Sequence, residues 1–298
     1  MVISKIPRRR GNSIRHFARL PAAENLTITP VALDTTDRRA RVVVLAGPPG
    51  SGKTTLLCCL YACYFKGQFA GVRFAGSRSL RALEEISHEN RAESGLEVPT
   101  TLHTTLSQTG FISLRLQPAT ADASTIEFLF SDLSGETYRE TMHRPGHVAT
   151  MTALQRADSI VIAVDGDALV GEERHQAAHE ANILTRAIVE HSSPRNDADI
   201  DIVLTKWDAM AKAAPVARAY AQGRLDELNG FVRRTHSSEL LFTCGRSLKD
   251  PTMSTGAGLD QLVARWCRKR KPYTPIKRQV ERSDANAPAS PVAAEVAP

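Results

Sequence analysis

The sequence predicts an α/β fold in which helices cover both faces of a doubly wound, mostly parallel sheet. Three observations predict it. Six apolar runs of strand length alternate with segments of helical period. A glycine-rich loop, GPPGSGKT at 47–54, lies between the first run and the first helical segment. A second polar cluster, TKWD at 205–208, follows another apolar run and falls at the carboxyl edge of such a sheet, where open α/β sheets bind ligands.

The strand runs are 42–46, 111–116, 126–131, 159–164, 200–204 and 240–243, nearly continuous apolar stretches of the kind buried on both faces. Helices are expected over 53–65, 137–156, 172–191, 209–233 and 258–270. Residues 66–110 form a long insertion with a helix over 79–91. Its start, GQFAGVRFAGSRS, reads as a structured loop, because Phe69, Val72 and Phe74 need burial. The catalytic body thus spans 41–271, preceded by a basic arm over 1–40. Residues 272–298 end in NAPASPVAAEVAP, a composition unable to build a packed core.

Bulk properties narrow the function. A chain of 298 residues with 42% hydrophobic content buries one sizeable core. No run approaches the ~18 apolar residues of a membrane span, and MVISKIPRRR lacks a secretory apolar segment, so a cytoplasmic location is expected. The five cysteines read as reduced thiols, since Cys58, Cys59 and Cys63 share one helix without metal-ligand spacing. The net charge is +6, yet residues 1–40 and 265–298 each carry eight Lys/Arg against three Asp/Glu, which leaves −4 for the body between them. Positive charge therefore belongs to the ends, as solvated tails or as contacts to nucleic acid, an anionic membrane or an acidic partner.

Gly47, Pro48, Pro49, Gly50, Ser51, Gly52, Lys53 and Thr54, with Thr55 behind them, have the composition of a phosphate cradle. Glycines at tight positions let successive backbone N–H groups point at anionic oxygens, and the following helix adds its positive end. Lys53 would neutralise the β- and γ-phosphates, while the Thr54 hydroxyl would ligate Mg²⁺. The run IEFLFSDLSGE then delivers Asp132 as a second metal ligand, with Gly135 offering a backbone N–H to a γ-phosphate. Glu136 could accept a proton from an attacking water. Its charge near that phosphate would cost about 4 kcal/mol at ~4 Å and an effective dielectric of about 20, unless Arg139, Arg144 or a partner's arginine compensates. The alternative for Glu136 is an exposed charge that starts the next helix.

TKWD decides the base. Guanine presents N1–H and N2–H₂ side by side, so the Asp208 carboxylate accepts both, whereas adenine would leave it unpaired. Lys206 would lay its methylene stem along the purine and brace the phosphate loop. Trp207 suits packing better than base contact. The expected ligands are GTP or GDP with Mg²⁺.

With these three motifs in order, residues 41–270 resemble the Ras-like and translation-factor-related clan of P-loop GTPases. More narrowly, VRFAGSRSLRALEE at 72–85, followed by SDLSGE and TKWD, resembles the double-GTPase family of predicted bacterial conflict systems. That resemblance implies a second GTPase and effector proteins as partners, in defence against phage or other invaders. It also marks departures. Relatives carry Gln or His where Glu136 stands, and Asn where Thr205 stands, which removes one bracing amide. Cys244-Gly245-Arg246 occupies the place of a Ser-Ala-Lys-like loop that offers a backbone N–H to guanine O6. A switch threonine before the second predicted strand would complete the Mg²⁺ shell, and Thr105 or Thr104 has better spacing than Thr100 or Thr101. The resemblance implies GTP hydrolysis driving a switch. A GTP-holding module with little turnover and an ATP-dependent NTPase are the competing readings.

Overall fold

The computed structural model describes residues 40–88, 111–120, 124–131, 135–245 and 252–268, with the backbone alone of residues 136 and 137. In chain order the elements are β1 (Arg41–Ala46), α1 (Lys53–Phe65), β2 (Val72–Gly76), α2 (Leu80–His88), β3 (Phe111–Pro118) and β4 (Ile126–Ser131). There follow α3 (Gly135–His143), a 3₁₀ segment (Pro145–Thr150), α4 (Thr152–Arg156), β5 (Ser159–Asp165), α5 (Gly166–Val170) and α6 (Arg174–His191). The last are β6 (Asp199–Thr205), α7 (Trp207–Lys212), α8 (Pro215–Val232), β7 (Leu240–Phe242) and α9 (Leu259–Cys267).

These strands form one sheet in the order β2-β3-β4-β1-β5-β6-β7. From β4 to β7 all neighbours run parallel, while β3 pairs antiparallel with both β2 and β4. Alternation along β1 divides the core. Val42, Val44 and Ala46 point to one face, which gathers Tyr138, Leu184, Ile188 and Leu225 from α3, α6 and α8. Val43 and Leu45 point to the other, which gathers Leu60, Leu83 and Trp266 from α1, α2 and α9. Burial on both faces explains why the central strands read as unbroken apolar runs. The five cysteines are free thiols, four of them buried. Among the described residues no helix is long and apolar enough to cross a membrane.

Three expectations are corrected. The helix expected over 137–156 is broken, because Pro145 disfavours a helical Arg144 (φ −141°, ψ 80°) and a 3₁₀ segment follows. The helix expected over 209–233 divides the same way, with Ala214 extended before Pro215, which opens α8. The supposed loop around Phe74 holds an edge strand, β2, with a register irregularity between Phe74 and Gly76. Its Val72 is buried as anticipated, with Phe69 and Phe74 packed against the core.

Candidate functional site

Because β4, β1, β5, β6 and β7 are parallel, their carboxyl ends share one edge of the sheet. The glycine-rich loop leaves β1 at the centre of that edge. Gly50 (φ 77°) and Gly52 (φ 82°) adopt the left-handed conformation that other residues rarely take, which turns the loop back into α1. Gly47 lies so close to the next strand that an added Cβ would sit 2.5 Å from Ser51 Oγ and 2.9 Å from the Ala163 carbonyl. Around Gly50, by contrast, a Cβ would meet nothing within 4 Å, so the bend of the loop is open.

Gly52 caps α1 with no side-chain hydrogen bond, and the first turn holds no acidic residue. The leading N–H groups of α1 and its positive end are therefore directed at the loop without a competing carboxylate. Lys53 Nζ donates to the carbonyls of Gly47 (2.8 Å) and Pro48 (2.9 Å), which holds the ammonium across the loop. Buried Ser51 keeps a hydroxyl without a hydrogen-bond partner in the described structure. An open bend, an uncapped helix start and a cation bridging the loop fit a polyanionic phosphate chain. For a divalent metal the fit is partial: Thr54 lies in the first turn of α1, while Asp132 and Thr105 lie outside the described residues.

Gly135 opens α3 directly against this loop. A Cβ there would lie 2.5 Å from Pro49 N, 2.7 Å from Pro49 Cα and 2.9 Å from Pro48 C, all backbone atoms that cannot swing aside. Only glycine permits this approach, and the structure places Gly135 against the glycine-rich loop. Glu136 follows as the second residue of α3; its side chain lies outside the described residues.

The TKWD cluster sits two strands away. Thr205, 5% exposed, places its hydroxyl 3.0 Å from the Ser51 carbonyl and 3.1 Å from the Val164 carbonyl. The bracing expected to weaken with Thr205 is thus supplied by its hydroxyl. Lys206 is corrected: its ammonium pairs with Asp165 Oδ2 at 2.5 Å, at the end of β5, rather than bracing the phosphate loop. Lys206 itself is left-handed (φ 50°) and caps the start of α7, which carries Asp208 in its first turn.

Asp208 is 4% exposed, and the Cys244 thiol donates to its Oδ1 at 3.5 Å. Burial, then the charge of Asp208, pushes that thiol up to about 12, so Cys244 is a protonated donor at neutral pH. Within the Cys244-Gly245-Arg246 loop expected to offer a backbone N–H, the Cys244 amide is bonded to the Ala257 carbonyl at 2.9 Å. Of that tripeptide, Gly245 packs against α1, where a Cβ would come 2.9 Å from Cys59 Sγ, and Arg246 lies outside the described residues. Trp207 packs on Phe242 with ring centroids 4.8 Å apart, as expected for a packing residue. Asp165 was missed by sequence reasoning, although a carboxylate closing an apolar strand at the ligand edge was its available signal.

Comparison with known proteins gives one family. Residues 41–267 match the family described as Double-GTPase 2. No curated protein matches the chain. Among solved structures, it is similar to the signal recognition particle receptor SRb-GTP/SRX complex from Chaetomium thermophilum, at 15% identity and a TM-score of 0.42, over 76% of this chain and 96% of that one.

Proposed function

The chain belongs to the Double-GTPase 2 family, and from that premise we propose that it binds GTP with Mg²⁺ at the carboxyl edge of its sheet and hydrolyses the β–γ phosphoanhydride. The observation that carries this reading is the buried Asp208 carboxylate at the end of one parallel strand, on the same edge as the loop bridged by Lys53. A carboxylate has acceptor capacity for two donors side by side, and guanine presents such a pair in N1–H and N2–H₂. Adenine offers no such pair.

In this mechanism the loop amides and the α1 N-terminus receive the phosphates, and Lys53 exchanges its two carbonyl partners for β- and γ-phosphate oxygens. Thr54, with Asp132 and Thr105, would hold Mg²⁺, which would supply positive charge where negative charge develops on the transferred group. The Gly135 N–H donates to the γ-phosphate, and Glu136 accepts the proton of the attacking water. Loss of the γ-phosphate contact at Gly135 would release the start of α3, which is the switch. We further propose, on the family resemblance, that it works with a second GTPase and effector proteins in a bacterial conflict system.

Phosphate release from GTP, followed with Mg²⁺ and with chelator in wild type and in Lys53→Ala, tests the chemistry. We expect metal-dependent release that falls by at least ~100-fold in the variant, the scale of losing a preorganised charge at the reacting group. Equal release from both proteins would end the hydrolase reading, and tight GTP binding without release would reduce the protein to a GTP-holding module.

A further inference from the structure

The topology puts one carboxylate between the two halves of the nucleotide site. The phosphate loop follows β1 and the base-reading cluster follows β6, and β5 lies between those strands. A nucleotide with its phosphates on the first and its base on the second therefore passes over the end of β5. That strand ends in Asp165, whose side chain is 18% exposed.

Asp165 performs two tasks there. Its Oδ1 accepts from Asp167 N (3.0 Å) and Ala168 N (3.3 Å), which caps α5, and its Oδ2 accepts from Lys206 Nζ at 2.5 Å. A second observation ties the same turn to the base-reading loop: a Cβ on Gly166 would lie 2.4 Å from the Thr205 carbonyl and 3.1 Å from the Lys206 carbonyl. The Asp165-Gly166 turn is thus fitted against the backbone of Thr205-Lys206 and also grips the tip of the Lys206 side chain. A lysine stem free at 42% exposure would sample many rotamers; anchored at both ends, it spans the ground between β6 and β5 as a fixed apolar bar.

We infer that Asp165 is a positioning residue for base recognition, holding Lys206 so that its methylene stem forms one wall of the guanine pocket. The inference rests on the proposed GTP site and adds a residue to it. Ordering the lysine before the nucleotide arrives removes an entropy cost from binding, and the benefit falls on the base end of the ligand, so it is read as base preference.

The test uses the full chain and measures GTP and ATP affinity for wild type, Asp165→Asn, Lys206→Met and the double variant, with thermal melting of each. Asparagine keeps the oxygen that caps α5, so melting should stay near wild type. GTP affinity should fall by about 10- to 100-fold, the fold-change of one charge-assisted hydrogen bond, with a smaller change for ATP. On the Lys206→Met background the same substitution should add nothing, because the group through which it acts is gone. A GTP affinity within about twofold of wild type in Asp165→Asn, or losses that multiply in the double variant, would overturn the inference while leaving the GTP site intact. A wild type that does not prefer GTP would overturn the site and the inference together.

Discussion

At the scale of single residues, the site depends on a few atoms whose replacement has a calculable consequence. Thr205 joins β6 to the glycine-rich loop through one hydroxyl near the Ser51 and Val164 carbonyls. Thr205→Val preserves shape and removes that donor, leaving a buried carbonyl short of a partner at a cost of about 1–3 kcal/mol. Chemical denaturation should show the loss, and titration should show weaker GTP binding as well, because Ser51 belongs to the loop. A stability loss with unchanged GTP affinity would mean that the brace does not reach the nucleotide. Cys244 shows a different residue-level device, in which burial keeps a thiol protonated so that it can donate to a carboxylate.

At the scale of elements, α9 is fastened to β6 and β7 by a buried ionic cluster. Arg265, 2% exposed, meets Asp201 with two bonds of 2.8 and 2.6 Å, and also pairs with Glu239 and, at 3.6 Å, with Asp199. Burial pushes the Asp201 carboxyl up to about 6 even though Arg265 pulls it down. Arg265→Ala leaves that carboxylate buried without its cation, so stability at pH 7.5 should fall by about 3–5 kcal/mol. The sign with pH follows from a folded pKa raised above the unfolded one. The stability contributed by the protonated group is present below the unfolded value, near ~4, and is lost as pH climbs from there through about 6. Without Arg265 the upper limit moves higher, so the deficit of the variant should be smaller at pH 5 than at pH 7.5. A deficit equal at both pH values would show that Asp201 is not the group left exposed to the change.

The same elements explain what was legible in the sequence. The central strands and α1 were, because burial on both faces demands apolar runs and the phosphate loop demands glycine at left-handed positions. The breaks at Pro145 and Pro215 carry a local signal that helical periodicity on either side outweighed. Strand β2 is short, lies at the sheet edge and includes two small residues, Ala75 and Gly76, so neither alternation nor hydrophobicity marked it. Arg265 and Asp165 act through partners 64 and 41 positions away, a pairing that only the folded sheet creates.

For the molecule as a whole, the strand order sets the division of labour. The glycine-rich loop after β1 meets the start of α3, the TKWD cluster follows β6, and Asp165 lies between them at the end of β5, so in the proposed site phosphates and base take opposite ends of this edge. The central claim is that this edge selects guanine through Asp208, and competition between GTP and ATP for the Mg²⁺-supplied protein, in wild type and in Asp208→Ala, tests it most directly. The account predicts that wild type prefers GTP and that the variant loses at least ~100-fold of that preference, as a site does when its paired acceptor for a base edge is removed. Equal competition by ATP in the wild type, unchanged in Asp208→Ala, would contradict it.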